Sequence, residues 1–233
     1  MNEKGKSGNV SFDTAFMPKE ELLETTVRNR RISIGIPSDI KDDEKRVALT
    51  PESVNLLVES DNEVIVQKGA GLGANYSDKD YSENGAIITD SAARVYSADA
   101  VIKVAPFTEK ETDYLKGNQV VLSYLNVLKL NEEILGKLIR KKVTAIAFEK
   151  IRDNNGIMPV VESMSEICGI TSILVASEYL SNMHGGKGVM LGGITGVTPT
   201  EVVIIGANTA GEYAARAAIG LGSTVLIFDN SLH

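Results

Sequence analysis

Glu201-Val-Val-Ile-Ile-Gly-Ala-Asn-Thr-Ala-Gly-Glu-Tyr-Ala-Ala-Arg-Ala-Ala-Ile-Gly-Leu-Gly-Ser-Thr-Val-Leu-Ile-Phe-Asp229 reads as a strand, a glycine turn, an Ala-rich helix, a second strand and a terminal acid. Val202 to Ile205 is a continuous apolar run, as expected of a parallel strand buried on both faces. Gly206 permits the tight turn, and Gly211 lets the helix pack closely on the strand. The acid, Asp229, comes about 20 residues after the turn, where a dinucleotide site places a carboxylate on the adenosine ribose. Gly206, Asn208, Thr209, Ala210 and Gly211 are the cofactor-loop candidates, and Asp229 disfavours the extra phosphate of NADP by like-charge repulsion. Asn208 stands at the middle glycine of the G-x-G-x-x-G pattern. Asn is tolerant of a left-handed backbone, but its side chain takes space the pyrophosphate normally uses.

Composition narrows the function classes. Hydrophobic residues make up 43% and charged residues 24% of 233 residues, an ordinary globular balance able to bury a core. The net charge of −7 argues against a nucleic-acid partner, although Lys137-Leu-Ile-Arg-Lys-Lys142 is a local basic cluster, read as a solvated helix end. One cysteine, Cys168, excludes an internal disulfide framework and fits a reducing compartment. It reads as a buried small hydrophobe or, alternatively, a nucleophile. No apolar run reaches the ~20 residues of a membrane span, and the N-terminus lacks a signal-peptide core. The expectation is a cytoplasmic protein with no membrane insertion and no metal site.

Upstream, residues 1–30 read as a mobile tail and a short helix opened by Pro18. Residues 31–162 alternate strand and helix, beginning with Arg31 to Ile36, then a charged loop through Asp42 and Asp43, then a helix capped by Thr50 with Pro51 at its first position. This alternation predicts an α/β fold, an N-terminal doubly wound, mostly parallel sheet domain followed by the first βαβ unit of a Rossmann dinucleotide-binding domain. Ser163-Met-Ser-Glu166 is a capping-box pattern, which predicts a helix from there to about Asn182. Six glycines between Gly185 and Gly196 then predict a flexible hinge, so that residues 163–200 link the lobes and residues 201–233 start the second.

The motifs together resemble a family. Glu44-Lys-Arg-Val-Ala-Leu-Thr-Pro51, Gly69-Ala-Gly71, Ile102-Lys-Val104, Met164-Ser-Glu166, Gly188-Val-Met-Leu-Gly-Gly193 and the βαβ unit stand in the order found in alanine dehydrogenases and proton-translocating transhydrogenase alpha subunits. The resemblance implies two lobes, with NAD(H) on the second, a small amino or 2-oxo acid in the cleft, and a homo-oligomer. Arg46 matches the arginine that holds the substrate carboxylate, a role suited to a planar guanidinium. The other reading of Arg46 is a surface pair with Glu44 or Asp43. Ser165 matches a position that contacts the nicotinamide side of the cofactor, and otherwise belongs to the helix cap. Lys103 matches a lysine taken as structural.

The same comparison exposes departures. Ala105 stands at the family's substrate lysine and Asn126 at its histidine. Asn126 can hydrogen-bond a carbonyl but cannot titrate. The two histidines, His184 and His233, read as solvated. The chain stops after the second strand of a lobe that ordinarily has six, so a fragment of a longer protein, inactive alone, is expected. Three readings stay open. They are an alanine dehydrogenase-like oxidoreductase, the NAD-binding subunit of a transhydrogenase, and a degenerate homologue without activity.

Overall fold

The computed structural model describes residues 31–39 and 44–230. The expected tail and Pro18 helix, Asp42, Asp43 and His233 lie outside the described residues.

Six short parallel strands form the first sheet: β1 (Ser33–Ile36), β2 (Glu63–Gln67), β3 (Ile87–Thr89), β4 (Ala100–Ile102), β5 (Val120–Ser123) and β6 (Thr144–Ala147). Their spatial order is β3-β2-β1-β4-β5-β6, a doubly wound sheet whose direction of winding reverses between β1 and β4. The helices between them are α1 (Pro51–Glu59), α2 (Asp78–Glu83), α3 (Ala92–Tyr96), α4 (Glu109–Tyr114) and α5 (Glu132–Arg140). Each starts at a side-chain cap, from Thr50, Ser77, Ser91, Thr108 and Asn131 in turn. Each cap satisfies a backbone N–H that the first helical turn leaves unpaired. Local sequence therefore fixes where the helices begin, and sheet burial fixes how they pack.

Two apolar clusters hold this lobe, one around Ile36, Val54, Val66 and Tyr81, the other around Val101, Phe107, Val121 and Leu138. Polar groups join them. Asp99, just before β4, accepts the Ser33 N–H at 3.0 Å and the Ser33 hydroxyl at 2.9 Å, while its own N–H donates to Ser33 Oγ at 2.9 Å. The Ser33 bonds, followed by Lys116, hold the Asp99 carboxyl down at about 2. The basic cluster expected at a solvated helix end is in part structural, because Lys141 Nζ donates to the carbonyls of Thr112, Asp113 and Leu115 at the close of α4.

The long helix α6 (Pro159–Leu180) starts earlier than the capping-box pattern predicts. Pro159 sets its first turn, and Ser163 and Ser165 lie inside, donating to the carbonyls of Pro159 and Val161. The cap readings of Ser163 and Ser165 are thus corrected. By length and composition α6 is also long and apolar enough to cross a membrane, where the sequence reading expects no such run. The mostly buried core helix of a soluble protein passes the same test, whereas 11% of this window is buried. One face of α6 lies on α7 (Thr209–Gly220), so closely that a Cβ on Gly169 would meet Ala210 O at 2.3 Å. Cys168, expected to be buried beside it, is exposed.

The βαβ unit forms as expected, with β7 (Glu201–Ile205) paired parallel to β8 (Thr224–Phe228). Its burial differs from expectation. Val202 and Ile204 pack with α7 around Ile173 and Ala218, whereas Ile205 is 89% exposed on the other face. Within the glycine passage expected as a flexible hinge, Gly186 and Gly192 are closely packed, whereas Gly185 and Gly196 stand in open space. Gly186 and Gly188 donate to Ser181 O and Leu180 O, Thr200 donates to Gly192 O, and a Cβ on Gly192 would meet Leu221 O at 2.1 Å.

Candidate functional site

A cavity of about 410 Å³ opens beyond the carboxyl ends of β4, β5 and β6. In open α/β sheets, ligands bind at that end of the strands. Val104 follows β4, Tyr124 follows β5, and Phe148 and Glu149 follow β6. Arg46 reaches it from the loop before α1, Val160, Val161, Met164, Ser165 and Cys168 from α6, and Ala210 from α7. Three residues chosen from sequence, Arg46, Ser165 and Ala210, are thereby brought to one place.

Arg46 pairs with Glu44, as one of its two sequence readings expects, and it also lines the cavity. Its Nε and Nη2 donate to Glu44 at 2.8 and 2.7 Å, a bidentate pair, while Nη1 donates to Met164 Sδ at 3.3 Å. Hydrogen bonding to Arg46 holds the Glu44 carboxyl below its ordinary range, and the same bond raises the Arg46 guanidinium. Glu44 thus sets the plane of the guanidinium. A thioether is a weak acceptor, so the Nη1 edge is held only loosely at the cavity wall.

Asn126 and Ala105 do not line the cavity. Asn126 has a left-handed backbone, φ 48 and ψ 56, which Asn tolerates well. Its N–H donates to Glu149 Oε1 at 2.9 Å, and the Leu125 N–H donates to Oε2 at 3.3 Å. Ala105 is buried, its N–H directed to Asp39 at 3.4 Å. Lys103, 2% exposed, pairs with Asp39 at 3.0 Å and Glu111 at 2.7 Å. Tyr96 and the Thr108 N–H complete the shell of Glu111. Burial pushes Glu111 up, but the charge and hydrogen bond of Lys103 outweigh it, and the net shift is downward. Burial, then Glu111, raises the Tyr96 phenol.

The glycine loop lies in two neighbouring spaces. Gly206 and Asp229 border a cavity of about 400 Å³, and Thr209 shares another of about 260 Å³ with Ser165. Gly206 takes φ +105, and a Cβ on Gly211 would stand 1.9 Å from Gly206 O, so the turn and the helix contact both need glycine. Asn208 is not left-handed, as the sequence reading allows. It is extended, φ −68 and ψ 178, and its side chain folds back to cap α7 by accepting the Gly211 N–H at 3.1 Å. Asp229 accepts the Ala207 N–H at 2.6 Å, which fastens the end of β8 to the glycine turn. His184 lies at the far end of α6, 3.1 Å from Glu178.

Sequence reading missed Glu149 and Tyr124. Their only signal is position, just past the carboxyl ends of β6 and β5, and it becomes informative once the strand order is known.

Comparison with known proteins agrees with this architecture. Residues 35–168 match the family model described as "Alanine dehydrogenase/PNT, N-terminal domain", and residues 172–233 match its C-terminal counterpart. The chain is 42% identical over 197 residues to an alanine dehydrogenase of Staphylococcus saprophyticus, covering 84% of this chain and 53% of the relative. It is 41% identical over 198 residues to alanine dehydrogenase 2 of Staphylococcus aureus, covering 85% and 53%. Among solved structures, an L-alanine dehydrogenase superposes with a TM-score of 0.81 at 38% identity, covering 86% of this chain and 55% of that one. A transhydrogenase from Sinorhizobium meliloti superposes with a TM-score of 0.77 at 26% identity, covering 86% and 59%. The chain therefore spans about half the length of the relatives it matches. The chain belongs to the alanine dehydrogenase/PNT family.

Proposed function

We propose that this chain carries the substrate lobe and the first part of the NAD(H) lobe of an oxidoreductase that moves hydride between NAD and a small 2-amino or 2-oxo acid. The observation that carries this reading is the 410 Å³ cavity, which gathers Arg46, Ser165 and Ala210 at the carboxyl edge of the sheet. In it, the Nη1 edge of Arg46 receives the substrate carboxylate, displacing the thioether of Met164. Gly206, Thr209, Ala210 and Gly211 cradle the pyrophosphate at the start of α7, where helix N–H groups favour an anion. Asn208 caps the same helix start by accepting the Gly211 N–H at 3.1 Å, so its side chain yields that donor when the pyrophosphate docks. Asp229 accepts the adenosine ribose hydroxyls, and Ser165 borders the nicotinamide. NAD supplies the hydride acceptor, while the protein's own residues bind and orient. Chemistry by the whole protein and its homo-oligomeric state belong to the same proposal.

NADH titration tests it, followed by fluorescence and thermal shift, with pyruvate or L-alanine added afterwards. Saturable binding that sharpens with the acid, and loses that sharpening in R46A, is expected. No NADH binding at any concentration would defeat the cofactor reading.

A second reading, the nucleotide-binding part of a transhydrogenase, is favoured by Ala105 and Asn126. Direct hydride passage between two nicotinamides needs no protein acid. In that case R46A leaves nucleotide binding and acid response alike untouched.

A further inference from the structure

The cavity contains a second charge that the sequence reading does not use. Of its lining residues, Arg46 and Glu149 are the formally charged pair, one cation and one anion. No lysine or imidazole lines it among the described residues. Glu149 spends one bond per oxygen on the backbone, Oε1 on Asn126 and Oε2 on Leu125. A carboxylate oxygen has two lone pairs, so each keeps acceptor capacity. The backbone bonds also fix the carboxylate in place.

Resting on the reading of this cleft as a 2-amino or 2-oxo acid site, we propose that Glu149 determines specificity by holding the ammonium group of the 2-amino acid while Arg46 holds its carboxylate. An amino acid zwitterion carries both charges on one carbon, and the cavity offers the complement of each. A 2-oxo acid brings a carbonyl oxygen instead, an acceptor facing an acceptor-only group. The cleft therefore favours the amino acid over the oxo acid.

The two ligands differ at the atom in question, which makes a differential test possible. Calorimetric titration of L-alanine and of pyruvate into the full chain, without cofactor, would be run on the wild type, E149Q and E149D. Charge-assisted bonds of this kind predict that E149Q weakens L-alanine by about tenfold or more and leaves pyruvate within about twofold. E149D, which keeps the charge, retains part of the preference. Equal weakening of both ligands would mean that Glu149 merely clips the 124–126 turn, and would overturn the inference, as would no change in either. Wild-type protein gives a check free of folding effects. Propionate, which lacks the ammonium, binds about tenfold more weakly than L-alanine, and equal affinity overturns the inference. Failure of R46A to weaken either acid, or of the wild type to bind any acid, defeats the carboxylate site itself and the Glu149 role with it.

Discussion

The two sheets of this protein are written in nearly the same sequence language and are buried very differently. In the first, β1, β2, β4 and β5 place Ile36, Val66, Val101 and Val121 at 0% exposure within its two apolar clusters. In the second, β7 is at least as apolar, yet Val202 and Ile204 face α7 while Val203 and Ile205 face outward. An apolar run thus reports strand propensity and a capacity for burial. Whether that capacity is used depends on what covers the second face.

The largest effect expected on this contrast is at Lys103, which welds the first lobe internally. K103A strands Asp39 and Glu111 in the interior and should cost about 4 kcal/mol, read as a fall in the urea midpoint. A smaller loss than about 1 kcal/mol would mean that water reaches the carboxylates. Next comes a matched pair. I36A should cost about 3 kcal/mol through its cavity, while I205A stays within about 0.5 kcal/mol. Comparable losses would show that the outer face of β7 is covered in solution. G211A forces a Cβ against Gly206 O and should cost about 2 kcal/mol, with the NADH-induced thermal shift reduced. An unchanged NADH response would separate the close helix contact from cofactor binding.

The smallest effect is at Asp99. Its folded pKa of about 2 lies below the ordinary 3.8, so its contribution is fully present above about pH 4 and is lost as pH falls towards 2. Because the side chain is 43% exposed, solvent screening reduces this to about 1 kcal/mol. D99N should therefore flatten the acid limb of the stability curve between pH 4 and 2. An unaltered limb would assign acid sensitivity elsewhere.

The elements themselves were largely legible because their signals are local. Thr50 before Pro51, and Thr108 before Glu111, announce helix starts within a few residues. Ser163 and Glu166 mimic the same signal mid-helix, and the Pro159 start carries no side-chain cap. Contacts between distant residues were less legible. Tyr124, Glu149 and Arg46 meet because of the strand order, and no spacing along the chain encodes that order. Asn208 failed differently. The motif marks it as a missing glycine, whereas capping chemistry makes it a good N-cap just before α7.

One helix joins the two halves of this comparison. On α6, Met164 and Ser165 border the cleft, while Gly169, little more than a turn later, sits hard against α7. A helix does not bend readily between adjacent turns, so cleft wall and cofactor-loop helix share one mechanical strut. On the reading proposed above, a shift of α7 when nucleotide arrives would reach the cleft wall through α6. Communication between the two ligands then requires no relay of side chains. It would be a property of leverage.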